Sequence, residues 1–112
     1  GKTVATRMQF LGCIIGDYAK TAINTSIFTG KQIGVASMLY GTVTQSVGSF
    51  VNHARSWGSE SVVDPEVAIA MQQRMFARRD VPHRPCDAEL LRTVYQLTAA
   101  ARQGLSVGPP KF

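Results

Sequence analysis

The chain has 112 residues, of which 45% are hydrophobic and 17% are charged, and its formal net charge is +5. This composition excludes a disordered tail, and the length is that of one small domain. Because no apolar run approaches the ~20 residues of a membrane-spanning helix and the first residues do not resemble a signal peptide, we expect a cytoplasmic protein without a membrane partner.

Residues 1–44 place aliphatic side chains at a spacing of six. The Ile15-Gly16 pair also recurs after eighteen residues. A spacing of six is neither helical nor a simple strand alternation, and is typical of a parallel β-solenoid with three short sides per coil. We therefore predict a left-handed parallel β-helix of about two coils, with a pair of β-hairpins as the alternative. The slots are filled by Ile15, Thr21, Ile27, Ile33 and Leu39.

The middle segment, residues 45–63, is predicted to be a Ser/Gly-rich connection, and residues 64–104 show the pattern of two helices. Asp64 can cap the first helix, and Pro65 suits the first helical position because its missing N–H would have no partner there. Prolines follow, so this helix should end near Arg79.

The second helix is predicted to begin near Cys86 or Asp87 and to end at Gly104. Its apolar stripe needs a partner helix, which is either the first helix in an antiparallel hairpin or a helix of a neighbouring subunit. Residues 105–112 contain two prolines and are predicted to form an extended tail. The whole chain is predicted to form one compact domain. The stripe consists of Leu90, Val94, Leu97 and Ala101.

Three segments carry a family resemblance that covers about residues 8 to 95. They read MQFLGCIIGDYAKTAINTSIFTGKQIGVASMLYG, SFVNHARSWG and MQQRMFARRDVPHRPCDAELLRTVY. Their elements, in this order, resemble the C-terminal region of a bacterial sugar-nucleotidyltransferase family with glucosamine-1-phosphate acetyltransferase-like members. The resemblance implies a hexapeptide-repeat, transferase-like homotrimer in which acetyl-CoA or a nucleotide-sugar lies between subunits.

The chain also departs from this family. Nothing in it resembles a Gly-rich phosphate loop, so nucleotidyl transfer is excluded for this chain. The family's earlier coils are missing, and Tyr18 stands where members carry a histidine after Gly-Asp. We therefore expect a truncated transferase-like protein in which acyl transfer is left open and no cofactor is certain. The alternative is a non-enzymatic module for oligomerisation or partner binding.

The resemblance implies a histidine general base, for which His53 is the candidate because the connection should emerge near a subunit boundary. An ordinary packing or loop histidine is the alternative. Lys20 and Lys31 are candidate partners for the phosphates of acetyl-CoA, with solvated turn lysines as the alternative. Tyr18 and Arg55 complete the candidate ligand-binding residues.

The remaining patterns concern metals and partners. Two histidines and two cysteines at these spacings do not form a metal site. The excess positive charge suits a small anionic ligand, but basic and aromatic residues do not alternate as nucleic-acid binding requires. Two coils bury little apolar surface and leave open strand edges, so we expect self-association, and the resemblance implies a trimer.

Overall fold

The computed structural model describes Ala5, Arg7 and residues 11–105. In these residues, short strands precede two α-helices, and a 3-10 helix follows β7 and another follows α2. The predicted tail at 105–112 lies outside the described residues beyond Leu105. The elements are β1 Ile14–Ile15, β2 Lys20–Thr21, β3 Ser26–Ile27, β4 Gln32–Ile33, β5 Met38–Leu39, β6 Thr42–Val43, β7 Val51–Ala54, β8 Ser59–Val62, α1 Pro65–Arg78 and α2 Pro85–Leu97, with 3-10 helices at Arg55–Trp57 and Ala99–Arg102.

The strands form three small sheets. Strands β1 and β4 make one sheet, β3 and β6 make another, and the third has the order β2-β5-β7-β8. All of the strand pairs are parallel except β7 and β8, which are antiparallel. The segment 45–63, predicted to be a connection, therefore holds the two longest strands.

The predicted left-handed parallel β-helix is wrong. The strands form separate small sheets, and the number of residues between paired positions is not constant. Paired residues lie eighteen apart in β1–β4 and β2–β5, as in Ile15 with Ile33, but sixteen apart in β3–β6 and fourteen apart in β5–β7. The separation between paired residues shortens because the chain turns at Gly41, which has a φ of 73° and follows closely after β5. Strand β8 then reverses direction at Gly58, whose φ is 80°.

The hydrophobic core has two parts. The smaller part lies among the strands and is made by Ile33, Leu39, Val43, Val47 and Val51. The larger part lies between the strands and the helices, where Phe50 is fully buried against Leu91 of α2 and Ile69 of α1. The strands and helices are thus held together by one apolar layer, which also positions the loop that carries Tyr18.

The two predicted helices are present and pack on each other. Asp64 caps α1, since its Oδ1 accepts a hydrogen bond from the Glu66 N–H at 2.8 Å, and Pro65 is the first helical residue. Arg92, past the middle of α2, donates two hydrogen bonds to the Glu66 carboxylate at the start of α1, which ties the two helices together. This pairing lowers the pKa of Glu66, chiefly through the hydrogen bond from Arg92.

The second helix ends earlier than predicted, and a buried arginine follows it. Helix α2 stops at Leu97, and the next turn is the 3-10 helix that contains Arg102. The Arg102 side chain, only 6% exposed, donates to the carbonyl oxygen of Ser49 at 3.1 Å and to Thr98 Oγ1 at 2.7 Å. It also bonds the carbonyl oxygen of Tyr95, one of the last α2 carbonyls without a helical partner. Arg102 therefore fastens the end of α2 to the strands.

No helix among the described residues is both long enough and apolar enough to cross a membrane.

Candidate functional site

His53, the candidate general base, is part of the core rather than of an exposed loop. It lies in β7, where it faces Glu60 of β8, and only 1% of its surface is exposed. Its Nδ1 has no hydrogen-bond partner in the described part of the chain and lies 3.6 Å from the Glu60 Oε1. A general base must reach the proton that it removes, and this burial separates His53 from the solvent through which a substrate would arrive.

The structure does not bring His53 and Lys20 together. In the four-stranded sheet, Lys20 lies in register with Met38 and Asn52. The neighbouring row of the same sheet contains Thr21, Leu39 and His53. Because neighbouring residues of a strand point to opposite faces, Lys20 and His53 project on opposite sides of the sheet. A joint catalytic and phosphate-binding role for these two side chains is therefore not built into this fold.

The other candidate ligand-binding residues are dispersed. Lys31 is half-buried just before β4, which belongs to another sheet. Arg55 is exposed, and its Nη1 donates to the Gln45 Oε1 at 2.7 Å. Of the candidates, only Tyr18 takes part in a polar cluster with residues from the helical region.

This cluster centres on Gln72 of α1, which is 2% exposed. The Gln72 Nε2 donates to the Tyr18 hydroxyl at 3.2 Å, and the Gln72 Oε1 lies 2.7 Å from the His83 Nε2. Since an amide oxygen only accepts, the His83 Nε2 carries the proton in this contact. The cluster ties the loop before β2 to α1 and to the connection between the helices.

A cleft lies beside this cluster and has a volume of about 350 Å³. Its wall combines aromatic and aliphatic residues with Arg78 and Arg79, which are both exposed. Within the described ranges, neither arginine forms an ion pair with a carboxylate. The cleft can therefore offer an apolar wall and two cations to one ligand. It is lined by Tyr18, Met75, Phe76, Arg78, Arg79 and Val81.

A second surface is apolar and lies in residues 11–28, which we call the apolar segment. Large hydrophobic side chains are exposed there, with 67% exposure for Ile14 and 92% for Ile23. Strands β1, β2 and β3 pass through this segment, and each pairs on one side only among the residues described. The exposed members are Leu11, Ile14, Ile15, Ile23 and Phe28.

Sequence reasoning missed both Gln72 and the cleft. A glutamine in a helix is exposed by default, so its burial depends on tertiary packing that sequence does not show. The adjacent pair Arg78 and Arg79 was a visible signal, but arginines on a helix are mostly exposed and do not by themselves indicate a cleft. For metals, the residues that the structure describes contain no group of three or more potential ligands.

Comparison of the chain with protein families, with curated proteins and with solved structures finds no match. The transferase-like resemblance therefore stays a prediction, and the function has to be argued from the surfaces of this chain.

Proposed function

We propose that this chain is a self-associating module whose copies meet through the apolar segment. The observation that carries the proposal is a contrast within paired strands. In β1–β4, Ile15 is 52% exposed and its partner Ile33 is 3% exposed; in β3–β6, Ile27 is half-buried and its partner Val43 is fully buried. The first member of each pair thus has the same kind of side chain as the second but is less covered by the described residues.

The apolar segment has the two properties of an association surface. It exposes several large hydrophobic side chains that are close in sequence, whereas scattered single residues would carry no such meaning. Within the described part of the chain its strands also lie at sheet edges, and the N–H and C=O groups of an edge strand can pair with another chain. Covering such a surface with a second copy buries apolar area and satisfies backbone groups together. A trimeric state rests on the family resemblance alone.

The transferase-like alternative has less support from the geometry. Acyl transfer would need an accessible base, and His53 is buried on the opposite face of the sheet from Lys20. Binding of acyl-CoA or a nucleotide-sugar between subunits stays a prediction, as does a cytoplasmic location. Self-association needs only the surface described above, so it is the function that we favour.

The test is the mass of the protein in solution. Sedimentation equilibrium at about 10 μM, a concentration that populates interfaces of micromolar affinity or tighter, should give a multiple of the chain mass. Ile15→Asp should shift the mass toward a single chain, because a carboxylate cannot be buried there without a partner. Leu97→Asp is the matched control, since Leu97 is 79% exposed on α2, and it should leave the mass unchanged.

Two results would overturn the proposal. One is a single-chain mass for the natural protein at concentrations up to about 100 μM, because self-association would then be weaker than a functional interface requires. The other is equal dissociation by Leu97→Asp and Ile15→Asp, which would assign association to general surface hydrophobicity. Far-ultraviolet circular dichroism of each variant verifies that the fold is retained.

A further inference from the structure

The cleft beside Tyr18 combines two kinds of surface that a single ligand could use. Arg78 and Arg79 line it together with Met75, Phe76 and Val81. Its volume of about 350 Å³ is in the range of small-molecule sites. We propose that this cleft binds a small phosphorylated molecule that carries a flat aromatic group.

The phosphate part of the proposal rests on the arginines. Three other arginines of the described chain are engaged: Arg92 and Arg84 pair with carboxylates, and Arg102 bonds backbone carbonyls. Among the residues that the structure describes, no carboxylate pairs with Arg78 or Arg79. The guanidinium fork matches the oxygens of a phosphate, with two parallel N–H donors on each side.

The charges around the cleft favour an anion. The C-terminal end of α1 contributes a partial negative charge of about half a unit, which two full guanidinium charges exceed. The nearest carboxylates in sequence belong to Asp17 and Asp80, and neither residue lines the cleft. The ionisable side chains that reach the ligand with a full charge are therefore both positive.

The aromatic part of the proposal rests on a wall that is already held in place. The Phe76 ring contacts the His83 ring at 5.4 Å between centroids, and the Tyr18 hydroxyl is fixed by Gln72. Because the Tyr18 oxygen accepts from Gln72, its own hydrogen remains to be donated to a ligand. A wall ordered before binding loses little conformational entropy when a flat ring docks on it.

The probes are ADP, adenosine and inorganic pyrophosphate, measured by isothermal titration calorimetry on the full chain. ADP presents both parts of the proposed ligand, whereas adenosine lacks the phosphates and pyrophosphate lacks the ring. We expect ADP to bind at about 100 μM or tighter and each partial probe to bind at least about tenfold more weakly.

Substitutions locate the binding in the cleft. Arg78→Gln and Arg79→Gln should each weaken ADP binding about tenfold, because each removes a charge-assisted contact. Arg74→Gln is the matched control, since Arg74 is an exposed arginine of the same helix that does not line the cleft. It should change the affinity less than about threefold, because its charge lies one helical turn from Arg78 and acts on the ligand only through solvent. All three positions are exposed, so these variants should fold.

Several outcomes would overturn the proposal. They are the absence of ADP binding at millimolar concentration, pyrophosphate binding as tight as ADP binding, and an effect of Arg74→Gln equal to that of Arg79→Gln. The second would show an ion site without an aromatic subsite, and the third would show diffuse attraction to a positive surface. None of these measurements depends on whether the chain self-associates through residues 11–28.

Discussion

Ile15 and Ile33 are direct partners in a parallel strand pair, yet Ile15 is 52% exposed and Ile33 is 3% exposed. Ile33 is covered on its other side by Val47, with which it forms a further bridge. Ile15 has no equivalent cover among the described residues. In the part of one copy that the structure describes, the core therefore ends at Ile15.

The first prediction concerns the cost of truncating these two side chains. Ile33→Ala should lower the free energy of unfolding by about 3 kcal/mol, because it leaves a cavity in a closed core. Ile15→Ala should cost about 1 kcal/mol or less in a dilute solution of single chains. Urea unfolding at low and high protein concentration measures both. Equal costs at low concentration would contradict the assignment of Ile15 to an open surface.

The second prediction concerns Arg102. Its guanidinium lies 4.0 Å from the centroid of the Tyr95 ring and bonds the carbonyl oxygen of Ser49. Arg102→Ala should lower the free energy of unfolding by about 3 kcal/mol, since buried acceptors lose their donor. Lysine should not rescue it, because an ammonium cannot reproduce a planar fork.

The matched control for this measurement is Arg55→Ala. Arg55 is exposed and bonds only the side chain of Gln45 among the contacts described, so its loss should cost less than about 0.5 kcal/mol. If Arg102→Ala were as mild as Arg55→Ala in chemical denaturation, the buried arginine would not hold α2 to the strands.

The third prediction concerns the glycine of the second Ile-Gly pair. A Cβ on Gly34 would lie 2.3 Å from the backbone nitrogen of Ser49, whereas a Cβ on Gly16 would lie 2.9 Å from that of Val35. Gly34→Ala should therefore cost about 3 kcal/mol, and Gly16→Ala clearly less, because overpacking against backbone forces the chain to move. Thermal unfolding compares the two variants, and the reverse order would refute the close approach at Gly34.

The fourth prediction concerns pH. The hydrogen bond from Arg92 lowers the pKa of Glu66 in the folded protein, so the ionised carboxylate stabilises the fold. This contribution is complete above the pKa of the unfolded chain, about 4.3, and is lost as the pH falls through the lower folded value. Glu66→Gln should therefore be less stable than the natural protein at neutral pH, and the difference should shrink in acid. A difference that grew on acidification would contradict the pairing.

Local signals in the sequence were enough to locate the helices and one strand pair. Asp64 and Pro65 predicted the start of α1 because capping involves only neighbouring residues. The repeat of Ile-Gly after eighteen residues corresponds to a real parallel pair, with Gly34 needed where the next backbone passes closely. The β-helix was wrong because the repeat does not continue: Gly41 shortens the step, and β8 turns back.

The candidate site was less accessible to sequence reasoning. His53 follows a Ser/Gly-rich stretch, which favoured a loop, but it lies in a strand whose residues are all buried. The burial of Arg102 was not predicted, since an arginine is rarely buried without a carboxylate. Both errors have one origin, because burial at these positions is created by pairing between distant parts of the chain.

The contact between Arg102 and Ser49 also constrains how this protein emerges from a ribosome. The residues around Phe50 are synthesised first, but the arginine that seals them against α2 is translated more than fifty positions later. The packing of the nascent strands therefore stays incomplete until almost the whole described chain has left the exit tunnel. Slow translation of the helical region would lengthen that interval and favour contacts with chaperones.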